Sequence, residues 1–186
     1  MATRKAKSTA FEMPRILALG AFVPLNKMRC MKHYFDEFAG LLETLEIEPV
    51  YTMLTKLRAV SKSVFLTKGK LADLADLCRE HEIEELVCSE RLTPLQQRNL
   101  EDLLGCQVFD REQIILEIFK RAATTAEGKI QVEMASMESM RSRLAGKGIE
   151  LEQQMGILGD KGPGETQKES VRRQLDIKIR QAKKRL

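Results

Sequence analysis

The residues whose types and spacing most suggest a specific function are four glycines and a proline. They lie in the stretch 156–166, Gly-Ile-Leu-Gly-Asp-Lys-Gly-Pro-Gly-Glu-Thr. Glycine loses more backbone entropy on folding than any other residue. So many glycines in one short stretch therefore indicate positive φ angles or the close approach of another molecule. Gly159 and Gly164 have the spacing of a phosphate-binding loop, but Glu165 stands where that loop needs lysine. A carboxylate there would repel a phosphate, and no β-branched strand precedes the loop. The stretch therefore predicts no nucleotide site.

Two Cys-x-x-His pairs, at 30–33 and 78–81, could each place two zinc ligands on one face of a helix. Cys78 also continues the apolar stripe of its own segment, so we expect a buried cysteine and no metal. The four cysteines are scattered and no secretory signal precedes them, which predicts reduced thiols in a cytoplasmic protein. The stretch 67–70, Thr-Lys-Gly-Lys, resembles a nucleotide loop only superficially and predicts the start of a helix.

Composition favours a soluble globular protein of one domain plus an appendage, with 186 residues, 43% of them hydrophobic and 31% charged. The chain has no Trp and only 2 Tyr, which argues against an aromatic platform for stacking bases. No apolar run is long enough to span a bilayer. Basic side chains are concentrated between 168 and 185, a pattern suited to a phosphate backbone, although most such runs are solvated helix surfaces.

The first part of the chain alternates short apolar runs with amphipathic segments, which is typical of crossover units and a mainly parallel sheet. Residues 1–13 are predicted to be a disordered basic tail, and residues 14–110 an α/β subdomain of four or five strands. Thr93 with Gln96, and Asp110 with Gln113, form helix-start signals. Predicted strands occupy 15–20, 49–54, 63–67, 86–89 and 107–109, and predicted helices 31–45, 70–81 and 93–104.

Residues 111–186 are predicted to form a helical hairpin, a long antiparallel two-helix coiled coil whose outgoing helix is weakened near 124–128. The return helix is predicted to start at Thr166, with Glu169 completing a capping box. The connection at 146–165 contains the glycine-rich loop, and it is long for a helical hairpin. Long ordered loops in compact folds are usually functional.

Three linked segments resemble one family, the HflX-type GTPases. The first is 93–118, which begins Thr-Pro-Leu-Gln-Gln-Arg-Asn-Leu-Glu-Asp-Leu-Leu-Gly and is followed by Glu-Gly-Lys-Ile-Gln-Val-Glu at 127–133. The second is the glycine-rich 156–167, and the third is Arg172-Arg173. The likeness extends over 15–186. It departs from the family pattern at Met155, where a paired glycine is usual, and at Lys161, where arginine is usual.

The resemblance implies an α/β subdomain, a two-helix coiled coil, and then a GTPase domain that would follow residue 186. It also implies a monomer that binds the large ribosomal subunit, with the full protein a GTP-hydrolysing factor in ribosome splitting, recycling or biogenesis. GTP and Mg²⁺ are expected in the GTPase domain. This chain has no G-x-x-x-x-G-K-[ST] sequence, so we expect neither a cofactor nor catalysis in it.

On this interpretation the glycine-rich loop contacts ribosomal RNA and the return helix contacts phosphates. The predicted RNA-binding residues are Gly156, Gly159, Lys161, Gly162, Pro163, Gly164, Glu165, Thr166, Arg172, Arg173 and Lys178. One alternative is a protein-interaction or regulatory domain that packs on the GTPase domain without contacting RNA. Another is an enzyme that binds a nucleotide at the carboxyl ends of the parallel strands. Only two histidines are present, and no nucleophile with a base is recognisable.

Overall fold

A computed structural model describes residues 14–23, 30–154 and 163–185 of the chain. The predicted tail at 1–13 lies outside this range. Strands and helices alternate along the first part of the chain, as the sequence predicts, and two long helices end it. The elements are β1 (Ile16–Phe22), α1 (Met31–Thr44), β2 (Tyr51–Lys56), α2 (Lys68–Glu80), β3 (Glu85–Cys88), α3 (Pro94–Leu104), β4 (Gln107–Phe109), α4 (Arg111–Ala122), α5 (Ala126–Gln154) and α6 (Pro163–Lys183).

The four strands form one parallel sheet in the order β2-β1-β3-β4, which confirms the predicted α/β class and strand direction. Apolar side chains of β1 alternate between two cores, because successive residues of a strand point to opposite faces. Leu17 and Leu19 pack with α2 and α3, whereas Ala18 packs with α1 and α4. The sheet is therefore covered on both faces by helices.

Two of the three helix starts that were predicted from capping signals are confirmed. The Thr93 hydroxyl and Gln96 amide form a capping box at α3, and Gly105 ends that helix with φ 70, a left-handed angle that suits glycine. Asp110 and Gln113 form the same box at α4. The predicted weak point near 124–128 is also confirmed, since α4 ends at Ala122 and a new helix begins at Ala126.

The predicted third strand at 63–67 is wrong. Only an isolated bridge joins Ser61 to Phe65, and Phe65 has φ 65, which turns the chain out of the extended conformation. Phe65 and Leu66 are nevertheless buried in the core under α2. The apolar run was therefore correctly identified as buried, but it packs as a loop.

The connection between the last two helices is shorter than predicted. Helix α5 continues to Gln154 and α6 begins at Pro163, so Thr166 lies inside a helix and is not its N-cap. Proline suits a first helical turn because its φ is already fixed and its missing N–H would have no helical partner. In addition, α4 packs on the sheet through Ile114, although the sequence pattern grouped it with the hairpin.

Candidate nucleic-acid interface

Helix α6 packs on α5 through one apolar seam. Its buried residues are Leu175, Ile179 and Ala182, each no more than 7% exposed. Their spacing of four and three residues places them on one side of the helix. The other side of α6 is exposed to solvent at 169–174, 177–178, 180–181 and 183–185. A surface helix with this pattern is available for contacts outside the chain.

Two ion pairs fix the direction of α6 relative to α5. Arg141 Nη1 lies 3.0 Å from Asp176 Oδ1, and Lys183 Nζ lies 3.5 Å from Glu138 Oε1. Because the residue number rises on one helix as it falls on the other, the two helices are antiparallel. Half-exposed pairs of this kind contribute little stability, about 0.2–1 kcal/mol each, so the apolar seam is the main attachment.

Helix α5 is attached to the α/β layers through Arg143. Its guanidinium lies 3.9 Å from Asp110 Oδ1 and donates a hydrogen bond to Ser139 Oγ at 3.2 Å. Burial lowers the pKa of Arg143, while the nearby carboxylates of Asp110, Glu112 and Glu101 act in the opposite direction. Glu101, Ser139 and Arg143 border a groove of about 800 Å³ between α3, α4 and α5.

Asp110 connects three parts of the fold at this attachment. One carboxylate oxygen accepts the Gln113 N–H at 3.0 Å and caps α4, and the other accepts the Leu92 N–H at 3.2 Å. The side chain is almost completely buried, with the residue 3% exposed, and Arg143 approaches from α5. Because buried carboxylates need charge and hydrogen-bond partners, this residue holds the helical appendage and the sheet in one arrangement.

The predicted basic contacts on α6 are exposed, but they do not share one face. With about 100° of rotation per residue, Arg172 and Lys178 flank the apolar seam on opposite sides, whereas Arg173 lies roughly opposite the seam. Arg173 also lies 3.8 Å from Glu169, an exposed pair one turn away. The structure therefore does not bring these three side chains together.

A different set of basic residues lies on one side of the helix. Arg173 and Arg180 lie about 20° apart around the axis and about 10 Å apart along it, and Lys184 follows directly after the last helical residue, Lys183. All three are exposed and face away from α5. We call these three residues the outer basic row. The spacing of seven and four residues between them is a helical signal present in the sequence, but the sequence reasoning did not select Arg180 and Lys184 as contacts.

The glycine-rich loop is described only at its end. Gly156, Gly159, Lys161 and Gly162 lie outside the described residues. Pro163, Gly164, Glu165 and Thr166 form the first turn of α6, and their side chains also lie outside the described part. Their predicted contacts with RNA stay predictions.

The carboxyl edge of the sheet, where a doubly wound fold would bind a ligand between β1 and β3, is occupied by side chains of the protein itself. The Tyr34 hydroxyl from α1 donates to the Ser89 carbonyl at 2.8 Å and also hydrogen-bonds Glu90. Ser89 Oγ accepts the Ala21 N–H at 2.9 Å, and the Arg111 guanidinium lies 5.8 Å from the Tyr34 ring centroid. This packing gives no support to the enzyme alternative.

Burial raises the pKa of two acidic groups at this edge. It raises the pKa of Glu90, an effect that the Tyr34 hydrogen bond and the charge of Arg111 partly offset. It raises the pKa of Tyr34 well above its ordinary value, with Glu90 adding to the shift. The tyrosine hydroxyl is therefore a proton donor throughout the physiological range, which matches its structural hydrogen bonds.

The two Cys-x-x-His pairs are separated in the structure. Cys30 is exposed, whereas Cys78 is buried in the core, and the His81 ring stacks on Tyr51 with 5.0 Å between centroids. Among residues 14–23, 30–154 and 163–185, no three His, Cys, Asp or Glu side chains are grouped so that they could hold a metal ion. In the same part of the chain, no helix is long and apolar enough to cross a membrane.

Two family models match consecutive parts of the chain. The GTP-binding GTPase N-terminal model matches residues 32–120, and the GTP-binding GTPase middle region model matches residues 122–186. Their boundary falls in the short break between α4 and α5. Curated proteins named GTPase HflX are 38% identical over 173 residues in Magnetococcus marinus and 37% identical over 151 residues in Escherichia coli. The chain belongs to the HflX family of GTPases.

The chain spans about two fifths of the length of these relatives. The match covers 92% of this chain and 40% of the Magnetococcus marinus protein, and 81% of this chain and 35% of the Escherichia coli protein. It thus corresponds to the N-terminal part of an HflX-type protein. Solved structures share the fold: a GTP-binding protein of Sulfolobus solfataricus in complex with GDP has a TM-score of 0.56 at 19% identity, covering 91% of this chain and 46% of that one.

Proposed function

We propose that this chain is the ribosome-binding N-terminal module of an HflX-like GTPase. In this proposal it binds the large ribosomal subunit, and the glycine-rich loop contacts ribosomal RNA. The full protein, which would bind and hydrolyse GTP with Mg²⁺ in a following domain, acts in ribosome splitting, recycling or biogenesis in the cytoplasm. We further propose that the chain is monomeric and that α5 and α6 wind around each other as an antiparallel coiled coil.

The observation that carries the proposal is the exposed basic surface of α6. The outer basic row faces away from α5, and Arg172 and Lys178 are exposed on either side of the seam. Lys and Arg side chains that neutralise phosphates release counterions, so a surface of this kind favours nucleic acid in a salt-dependent way. We propose ribosomal RNA as the nucleic acid because the resemblance to HflX-type GTPases implies a large-subunit partner.

Helix α5 extends well beyond its contact with the α/β layers, toward the glycine-rich loop. The helix continues for eleven residues beyond Arg143, the residue that contacts the α/β layers, which corresponds to about 16 Å. Lys161 and the outer basic row, which includes Arg173, are proposed to follow one RNA surface along the hairpin, whereas Arg172 and Lys178 lie on either side of the seam. Lys161 carries the charge of the arginine that is usual in the family, but it lacks the planar two-pronged contact.

Cosedimentation with purified large subunits tests the proposal. Lys161→Glu should weaken binding, and R173A/R180A/K184A should both weaken it and reduce the slope of log K against log salt by roughly 2–3, at about 0.7–0.9 per phosphate contact. The matched control is K56A/K68A/R79A, which removes the same charge from exposed positions of β2 and α2. Equal binding by both triple variants and the unmodified protein would contradict the proposal.

A protein-interaction or regulatory role is the second candidate, favoured by exposed apolar side chains on α6. Val171 is 41% exposed and Ile177 is 42% exposed. In this role the helix packs on the GTPase domain and controls it without contacting RNA. V171S/I177S in the full protein should then change GTP hydrolysis in the absence of ribosomes, whereas the RNA-binding proposal expects no change in that rate.

A further inference from the structure

The two outer strands of the sheet differ in how the rest of the chain covers them. Strand β4 has three residues, the carbonyl of its middle residue Val108 accepts a hydrogen bond from the Gln97 side chain, and α5 passes beside it. Strand β2 has six residues, and in the part of the chain that the structure describes it pairs only with β1. An outer strand presents a row of unpaired N–H and C=O groups with which another extended chain can pair. We call this side of β2 the open edge.

The open edge lacks the features that discourage strand pairing in many proteins. The strand contains no proline, and its only charged residue is Lys56 at its end. Leu54 is 55% exposed, and Val50, directly before the strand, is 51% exposed. These two side chains point to the same side of the sheet, because an even number of residues separates them. An added strand would therefore find both backbone partners and apolar contacts there.

Helix α1 extends the apolar surface on that side of the sheet. A Cβ atom added at Gly20 of β1 would lie 2.6 Å from Leu54 Cδ2 and 2.9 Å from the Phe35 ring, so both side chains reach over this glycine. Met31, one turn before Phe35 on α1, is exposed as well. Alternate side chains of an added strand can contact this surface.

Positive charge is concentrated where β2 ends. The stretch 56–70 contains five Lys or Arg residues and no Asp or Glu, so its charge is not balanced locally. Its exposed cations nearest to β2 are Lys56, Arg58 and Lys62, which we call the basic end. Among residues 14–23, 30–154 and 163–185, no carboxylate forms an ion pair with any of the three. The basic end is therefore available to carboxylates from another molecule.

Side chains of α3 hold the loop that carries the basic end. Gln96 Nε2 donates a hydrogen bond to the Ser61 carbonyl at 2.7 Å, and Asn99 Nδ2 donates one to the Ser63 carbonyl at 2.9 Å. Ser61 also exchanges backbone hydrogen bonds with Phe65, at 3.0 and 3.1 Å. Because the loop backbone is already fixed, less conformational entropy is lost when a partner binds.

We propose that the open edge binds an extended peptide of a partner protein, with acidic residues placed beside the basic end. Backbone hydrogen bonds to β2 supply affinity, apolar side chains contact Leu54 and Phe35, and the carboxylates fix the direction of the peptide. An RNA strand has no row of amide groups that could extend a β-sheet, so the open edge favours a peptide. The surface uses none of the residues assigned to ribosomal RNA, so it is independent of that proposal.

The probe is a fluorescein-labelled peptide, Val-Thr-Val-Thr-Val-Glu-Asp-Glu, titrated with the folded chain and followed by fluorescence anisotropy. We expect saturable binding that weakens as salt rises, with added protection of amides in 51–56 from hydrogen exchange. R58E/K62E should weaken binding by about tenfold, because two exposed attractive contacts become repulsive. The matched control is K178E/K184E, which makes the same change of charge at exposed positions of the last helix and the turn after it and should bind the peptide normally.

N-methylated peptides separate strand addition from simple charge attraction. Methyl groups on alternate residues should abolish binding in one of the two possible registers, because only one register removes the N–H groups that pair with β2. No saturable binding of the unmethylated peptide, or equal binding in both registers, would overturn the proposal.

Two other occupants of the surface give different results. If R58E/K62E cosediments less with large ribosomal subunits, the basic end contacts RNA and the proposal is overturned. A dimer of the chain in which the amides of 51–56 are protected would assign the open edge to a second copy and would also overturn it. We expect unchanged cosedimentation and no such dimer.

Discussion

Substitution of Asp110 by alanine tests how the helical appendage is attached to the sheet. The change removes the N-cap of α4, which costs about 0.5–2 kcal/mol of stability. It also leaves the Leu92 N–H without its carboxylate partner at a buried position, which costs about 1–3 kcal/mol. Together these give a loss of about 1.5–5 kcal/mol, or roughly 3–20 °C in melting temperature for a chain of this length.

The matched control is Thr93→Ala. Thr93 forms the same type of capping box, at α3, but the residue is exposed and its side chain accepts only the Gln96 N–H in that box. Its loss should cost about 1 kcal/mol. Asp110→Asn should fall between the two variants, because its single carbonyl oxygen replaces one of the two acceptors.

Urea unfolding followed by far-ultraviolet circular dichroism measures the three variants. The expected order of destabilisation is Asp110→Ala, then Asp110→Asn, then Thr93→Ala. If Asp110→Ala loses no more stability than Thr93→Ala, the buried hydrogen bond to Leu92 is not significant and the reasoning is refuted.

Three further perturbations address the helix pair and the sheet edge. Leu175→Ala, in the buried seam, should cost about 2–4 kcal/mol in urea unfolding, whereas the exposed Ile177→Ala should cost under about 1 kcal/mol. A double-mutant cycle on Arg141 and Asp176 should give a coupling of about 0.2–1 kcal/mol that shrinks at high salt; a larger value would show that this pair is better shielded from water than its exposure indicates. Burial raises the pKa of Glu90 above its ordinary 4.5, so the folded state holds this proton more readily than the unfolded chain. Ionisation of Glu90 therefore reduces stability as the pH rises from about 4.5 through the folded-state pKa. Glu90→Gln should flatten that decline, and an unchanged pH profile would contradict the assignment.

Local signals predicted most of the α/β part correctly because each lies within a few residues. The Thr93 and Asp110 capping boxes, the glycine at 105 and the short apolar runs each determine an element by contacts inside one turn or strand. The run at 63–67 was misassigned because its apolar residues are buried, as in a strand, but Phe65 adopts a left-handed conformation. That backbone choice depends on packing under α2, which the local sequence does not encode.

The basic surface of α6 was only partly predictable. The charge run was visible, and the apolar spacing that marks the seam was visible as well. When the apolar spacing is used to place the seam, the helical period gives the side of the helix on which each charged residue lies. This places Arg173 on a different side of the helix from Arg172 and Lys178. The ion pairs of Arg141 with Asp176 and Glu138 with Lys183 depend on the helix register, which needs the structure.

Hydrogen exchange on the glycine-rich loop tests the central proposal most directly. Amides in 155–166 should become protected when purified large ribosomal subunits are added, and Lys161→Glu should reduce that protection. The outer basic row should be protected in the same experiment. If the loop exchanges at the same rate with and without subunits, it serves as a connector, and the proposed contact with ribosomal RNA is contradicted.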